Sequence, residues 1–159
     1  MDDVMVRPVG IVRGPRTEPV DDFWGGEIAA IELDSSQFGP DALVGLVEFS
    51  HLEVLFHLHQ VDPTQIQTGA DHPRGRIEWP KVGIFARRSK ARPNRLALSR
   101  CRLLRVDGLA LTVEGLDAID GTPILDIKPY LIEFGPRGEV RQPQWATEMM
   151  RYYYADRDG

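Results

Sequence analysis

A few short stretches of this sequence hold side chains whose types and spacing could do chemistry. Asp117 and Asp120 flank a turn that ends in Gly121-Thr122. A glycine there allows positive φ and close approach of backbone to a ligand, and the carboxylates could accept from hydroxyl or ammonium groups; Asp-Gly is equally a standard hairpin turn. His59-Gln60 close a strongly apolar run, and a histidine at a strand end can donate or accept near neutral pH. His51 and His57 share its strand parity, so the three could lie on one face. No acid or cysteine is placed with them, so a metal site is the weaker reading beside a hydrogen-bonded His51 and an exposed His57, and no metal is expected. Arg88 offers a fork that clamps a carboxylate or phosphate, or else forms a surface ion pair. In Arg92-Pro93-Asn94 the proline fixes the backbone before a side chain that both donates and accepts, or the three form a plain turn. Asp126-Ile127-Lys128-Pro129-Tyr130 ends a strand with three polar groups that need partners. Lys128 would meet a phosphate or an acid and Tyr130 would stack on a base, or Asp126 and Lys128 form a structural network at a subunit interface.

The charge is unevenly distributed. The chain is −5 overall, yet from Arg74 to Arg105 eleven basic residues face one acid, Glu78, a local charge of +10 that leaves −15 elsewhere. Such asymmetry points to a surface that meets an anion, a phosphate backbone above all, with Arg87, Lys90, Arg92 and Arg95 as contacts. Solvated strand faces whose arginines pair with acids from elsewhere explain the run equally well.

These residues need a scaffold. The chain has 159 residues, 42% of them hydrophobic and 27% charged, which suits one folded domain with a short appendage. No apolar run approaches the roughly 20 residues of a membrane span, the acidic start Met1-Asp2-Asp3-Val4 lacks a signal region, and Cys101 is the one cysteine, so neither a disulfide nor a cysteine metal cluster is expected. A cytoplasmic protein is the expectation. Short strands separated by turn residues are expected over 9–13, 27–33, 47–59, 82–86, 96–106, 109–116 and 123–127, with a turn or short helix at 41–46 and a long polar loop at 61–76. The spacing of Trp145, Met149, Met150 and Tyr152 to Tyr154 suits a short amphipathic helix within 142–154. The pattern predicts a mostly β domain, a closed or rolled antiparallel sheet with a few short helices over 4–140, followed by a tail over 141–159.

Four blocks in order carry a resemblance: Val9-Gly10-Ile11-Val12-Arg13; Phe49-Ser50-His51-Leu52 with His59-Gln60; Val82-Gly83-Ile84-Phe85-Ala86-Arg87-Arg88-Ser89 running into Arg92-Pro93-Asn94; and Gly115 to Tyr130 with Gly121-Thr122-Pro123 inside it. Together they span about four fifths of the chain, and the sequence closely resembles the TsaA-like family, the tRNA-methyltransferase O type. The resemblance implies a small β-barrel-like domain that binds S-adenosylmethionine, usually a homodimer with the cofactor near the subunit interface. It further implies methyl transfer to N6 of a threonylcarbamoyl-adenosine beside the tRNA anticodon. By the same resemblance His59, Gln60, Arg88, Leu98 and the loop from Leu116 to Thr122, with Asp117, Asp120, Gly121 and Thr122, would hold the cofactor. Leu98 would line adenine, with an ordinary core leucine as its alternative. Asn94, Lys128 and Tyr130 are the candidates near the reacting atoms. The usual Arg-Pro-Asn-Pro-Ile-Gly reads Arg92-Pro93-Asn94-Arg95-Leu96-Ala97 here, Asp21-Asp22-Phe23 stands near the place of an early Pro-Arg-Gln, and the further C-terminal domain of longer members is not expected. Another methyl acceptor, or a non-catalytic regulatory dimer that binds the cofactor, is the alternative function.

Overall fold

The computed structural model describes residues 1–157; Asp158 and Gly159, the end of the expected tail, lie outside the described residues. Eight strands form: β1 Gly10–Arg13, β2 Ile28–Leu33, β3 His51–His57, β4 Ala70–Asp71, β5 Val82–Gly83, β6 Leu96–Asp107, β7 Ala110–Glu114 and β8 Pro123–Pro129. Six of them close an antiparallel barrel in the order β1-β2-β7-β6-β3-β8, with β8 returning to β1, and β4 pairs with β5 in a small separate ribbon. Closure removes the exposed edges that so short a sheet would otherwise present. One α-helix, α1, spans Gln144–Met149. No described helix is long and apolar enough to cross a membrane.

Strict alternation drives the barrel. Leu52, Val54 and Phe56 on β3 are buried, as are Leu111 and Val113 on β7, Val12 on β1 and Ile31 on β2, while their neighbours along each strand face out. The apolar run at 47–59 does not form one buried strand. Only His51–His57 extends, because Gly45 at φ 85° opens a single turn at Leu46–Glu48, and Val47 and Phe49 are exposed. The strand expected at 82–86 stops after Gly83 and becomes a turn at Ile84–Ala86. On β6 the inward residues are Ser99 and Cys101, so Leu96 and Leu98 stand on the outer face, and a bulge between Leu103 and Arg105 turns Leu104 outward as well. Leu98 is therefore not a core leucine. Burial, then the nearby charge of Asp117, pushes the Cys101 thiol up to about 12.

Strand directions decide where the loops go. In the closed antiparallel order, β1, β3 and β7 all end at the same rim of the barrel. The β1–β2 loop (14–27), the long β3–β6 connection (58–95) and the β7–β8 turn (115–122) therefore emerge together. Three of the four sequence blocks meet at this mouth. The β2–β3 loop closes the opposite end, where Leu43 packs into the core. Lys128 and Tyr130 end β8 at that opposite end, roughly 20 Å along the strand from Gly121 at about 3.3 Å per residue.

Candidate functional site

The mouth is built on backbone contacts between its loops. Gly121, at φ 78°, donates to the Val12 carbonyl at 2.9 Å, and Val12 donates back to the Thr122 carbonyl at 2.9 Å. A side chain at Gly121 would be strained, and its Cβ would lie 3.8 Å from Nε2 of His59. His59 thus abuts the turn. It lies two residues beyond β3, so it does not share the outer face on which His51 and His57 sit. The His51 ring is bonded to Ser50 Oγ at 2.7 Å. Burial, followed by the charge of Arg95 and of His59, lowers the His57 pKa.

Two of the four turn residues expected at a ligand are committed to the fold. Asp120 Oδ1 accepts from the Gly14 amide at 3.2 Å, and the Asp120 amide donates to the Arg16 carbonyl at 2.8 Å. Thr122 is buried and its hydroxyl donates to the Ile119 carbonyl at 2.7 Å. Asp120→Ala should therefore cost about 1–2 kcal/mol of stability by freeing a part-buried N–H and leave ligand affinity within about twofold; a calorimetric titration beside a melting curve separates the two effects. Asp117 is different. One of its oxygens accepts a short hydrogen bond from the Tyr153 hydroxyl, and the other, Oδ1, is buried without a hydrogen-bonding partner.

Arg88 is exposed and donates from Nη2 to the Leu98 carbonyl at 2.7 Å. It lies close enough to Tyr153 and Tyr154 to act on both electrostatically. Leu98 itself is 43% exposed, opposite Leu55 in the β3–β6 register. Pro93–Arg95 forms a tight turn with Asn94 at φ 62° and Arg95 at φ 51°. Asparagine tolerates that region well and arginine tolerates it poorly. Proline, with φ locked near −65°, could not adopt the Arg95 conformation at all, so the departure from Arg-Pro-Asn-Pro changes the backbone here as well as the side chain. The turn is pinned beside His59-Gln60, since Leu58 donates to the Arg95 carbonyl at 2.8 Å and Arg95 Nη1 to the Val61 carbonyl at 2.9 Å.

The basic run does not form one anion-facing patch. Arg74 pairs with Asp22, Arg76 with Glu78, Arg100 with Glu53, Arg102 with Glu114 and Arg105 with Asp107. Of the residues expected to touch RNA, Arg87 is 8% exposed and donates to Gln67 at 2.9 Å, so it is withdrawn from any phosphate backbone. Arg92 donates to the Arg87 carbonyl at 2.8 Å, and Lys90 is exposed. Lys128 is held 2.7 Å from Asp126, a bond that raises its pKa, and Tyr130 carries the Arg100 guanidinium 4.7 Å above its ring. Both belong to the outer wall at the far end of the barrel, so neither meets Asn94 within one subunit.

Two further pieces of the mouth have no warning in the sequence. Arg16, 6% exposed, pairs with Glu27 at 2.6 Å, donates to the carbonyls of Asp22 and Phe23 at 3.0 and 2.6 Å, and stacks 3.8 Å from the Trp24 ring. The tail, expected as one helix, is helical only over α1 and then turns back over the mouth. Phe23 and Trp24 donate to the carbonyls of Tyr152 and Tyr153 at 3.0 and 2.8 Å, and Trp79 Nε1 donates to Glu148 at 3.1 Å.

Comparison with known proteins gives a consistent set of relatives. A family model described as the tRNA-methyltransferase O N-terminal domain matches residues 19–135. A probable S-adenosyl-L-methionine-binding protein of Methanothermobacter thermautotrophicus is 39% identical over 130 residues, covering 80% of this chain and 90% of that protein. The human tRNA (adenine(37)-N6)-methyltransferase is 38% identical over 102 residues, 64% of this chain and 23% of the human protein. Among solved structures, a crystal structure of TrmO from Pseudomonas aeruginosa aligns with a TM-score of 0.73 at 27% identity, over 91% of this chain and 62% of that one. This chain thus spans less than a quarter of the human relative and about three fifths of the bacterial structure.

Proposed function

Starting from a chain that belongs to the tRNA-methyltransferase O family through that family's N-terminal domain, we propose that it binds S-adenosylmethionine at the barrel mouth and methylates an adenine of tRNA. The acceptor in this reading is N6 of threonylcarbamoyl-adenosine at position 37, the position named for the human relative. The observation that carries the proposal is Asp117, whose buried Oδ1 has no donor of its own, at a mouth that also holds Arg88, His59, Gln60 and the glycine turn.

The residues present fit the cofactor's needs. An amino-acid end and a ribose bring ammonium and hydroxyl donors to the Asp117 acceptor, and a carboxylate to the fork of Arg88. The half-exposed Leu98 gives adenine an apolar surface, and Gly121 lets backbone approach beside His59. When bound, the cofactor supplies a methyl group on a cationic sulfur. In-line transfer from such a centre depends chiefly on alignment, and the chain's part is to hold, orient and exclude water. Asn94 stands beside His59-Gln60 to meet the acceptor base. Lys128 and Tyr130 reach such a site only from a second subunit, which is consistent with a homodimer. A cytoplasmic location follows from a tRNA substrate.

The neutralised basic run favours a second reading. Five of its arginines pair with carboxylates, as they would in a methyltransferase with a smaller acceptor or in a regulatory dimer that binds the cofactor without turnover. Titration with S-adenosylmethionine, followed by incubation with tRNA lacking this methyl group and mass spectrometry of its nucleosides, decides between them. A methylated threonylcarbamoyl-adenosine establishes the first reading. Turnover to S-adenosylhomocysteine without it indicates another acceptor, and binding without turnover the regulatory dimer. An RNA-binding chain should also show affinity that falls steeply with salt.

A further inference from the structure

Tyr153 is placed with more care than a tail residue needs. Its carbonyl accepts from the Trp24 amide at 2.8 Å, its neighbour's carbonyl from the Phe23 amide at 3.0 Å, and its ring meets that of Tyr154 edge-on with centroids 4.9 Å apart. This short ladder between tail and loop delivers one hydroxyl to one carboxylate, that of Asp117. A carboxylate rotates about its terminal bond and its two oxygens are equivalent, so a donor that pins one of them also sets the direction of the other. The other, Oδ1, is shielded from solvent and unsatisfied, an arrangement that costs free energy until a donor arrives. Burial, then the negative charge of Asp117, drives the Tyr153 pKa upward, so the hydroxyl stays a donor throughout the physiological range.

Resting on the cofactor reading above, we infer that Tyr153 is a positioning residue of the ligand site: its hydroxyl holds Asp117 so that Oδ1 receives a hydroxyl or ammonium donor of the bound nucleoside. The C-terminal tail is then part of the binding site as well as of the fold. Tyr153 does not touch the reacting atoms in this scheme and acts through Asp117.

The test is a calorimetric double-mutant cycle with S-adenosylmethionine and with 5′-methylthioadenosine, which keeps the ribose hydroxyls but lacks the ammonium group. Tyr153→Phe keeps the ring and should weaken S-adenosylmethionine about tenfold, the scale of one charge-assisted hydrogen bond. In an Asp117→Ala background the same substitution should cost nothing more, a coupling that a purely structural tyrosine would not produce. Loss of affinity for both ligands assigns the donor to the ribose, and loss for S-adenosylmethionine alone assigns it to the ammonium group. If Tyr153→Phe proves too unstable to titrate, Asp117→Asn asks the same question. Its amide oxygen keeps the Tyr153 bond and its NH2 takes the place of Oδ1, turning an acceptor into a donor, so affinity should fall at least tenfold with the tail still docked. A wild-type chain that binds S-adenosylmethionine while Tyr153→Phe, or in its stead Asp117→Asn, binds equally well overturns this inference alone. A wild-type chain that does not bind it overturns the cofactor reading beneath.

Discussion

Replacing Arg16 by alanine should lower stability by about 3–5 kcal/mol, the usual loss when one member of a buried ion pair is removed. In melting temperature this is roughly 10 °C for a chain of this size. The pair with Glu27 has 5% and 18% side-chain exposure, so water cannot replace the missing guanidinium. Two carbonyls, of Asp22 and Phe23, lose their donors in the same step, and Trp24 loses the cation stacked on it. The effect should concentrate in the β1–β2 loop, where Phe23 adopts φ 68°, a conformation unfavourable for a bulky residue and tolerated when its surroundings fix it. Arg16→Lys should recover little, because a single ammonium cannot span Glu27 and two carbonyls. Urea unfolding of the three proteins measures this directly. A loss below about 1 kcal/mol for Arg16→Ala would mean that the loop is held by its backbone pairing and that the arginine is incidental.

The barrel was legible in the sequence because alternation is a strong signal. Leu111 and Val113, or Leu52, Val54 and Phe56, repeat every second residue and are all buried. The errors have physical causes. Grouping Leu98 with Cys101 as one apolar set ignored their spacing of three, which on a strand places them on opposite faces, and the structure puts Leu98 outside and Cys101 inside. Extending β3 back to Val47 counted hydrophobicity without the left-handed Gly45 that interrupts it. Asp120 reads equally as ligand contact or turn cap in the sequence. The partner that decides between them, the Gly14 amide, lies 106 residues away. The tail was the least legible part. Its docking rests on main-chain carbonyls of Tyr152 and Tyr153, which every residue type carries, so no side-chain pattern announces it. The tyrosines suggested a helix face, and the chain uses them at the end of a strap.

That strap depends on one glycine, which gives the second large effect. Gly25 lies against the Tyr154 main chain so closely that an added Cβ would overlap the Tyr154 carbonyl oxygen and stand 2.8 Å from its carbonyl carbon. Both obstacles are backbone, so no rotamer change can relieve them. Gly25→Ala should therefore lift the tail from the mouth, breaking the amide–carbonyl bonds of Phe23 and Trp24 and withdrawing the Tyr153 hydroxyl from Asp117. Tryptic cleavage after Arg151, in the segment that docks, should accelerate more than tenfold while the barrel's own melting moves by a few degrees, because the core cluster lies in the strands and the β7–β8 turn. Gly26→Ala is the matched control. Its Cβ would meet the side-chain oxygen of Asp156 at 2.8 Å, the end of a side chain that can swing away, so the tail should stay docked and cleavage should stay near the wild-type rate. If tail docking sets the ligand site, Gly25→Ala must also lose at least the tenfold affinity expected of Tyr153→Phe, since it removes the same hydroxyl along with the ladder that carries it. Rapid cleavage with undiminished affinity would separate the two, leaving the tail a fold element and the mouth complete without it.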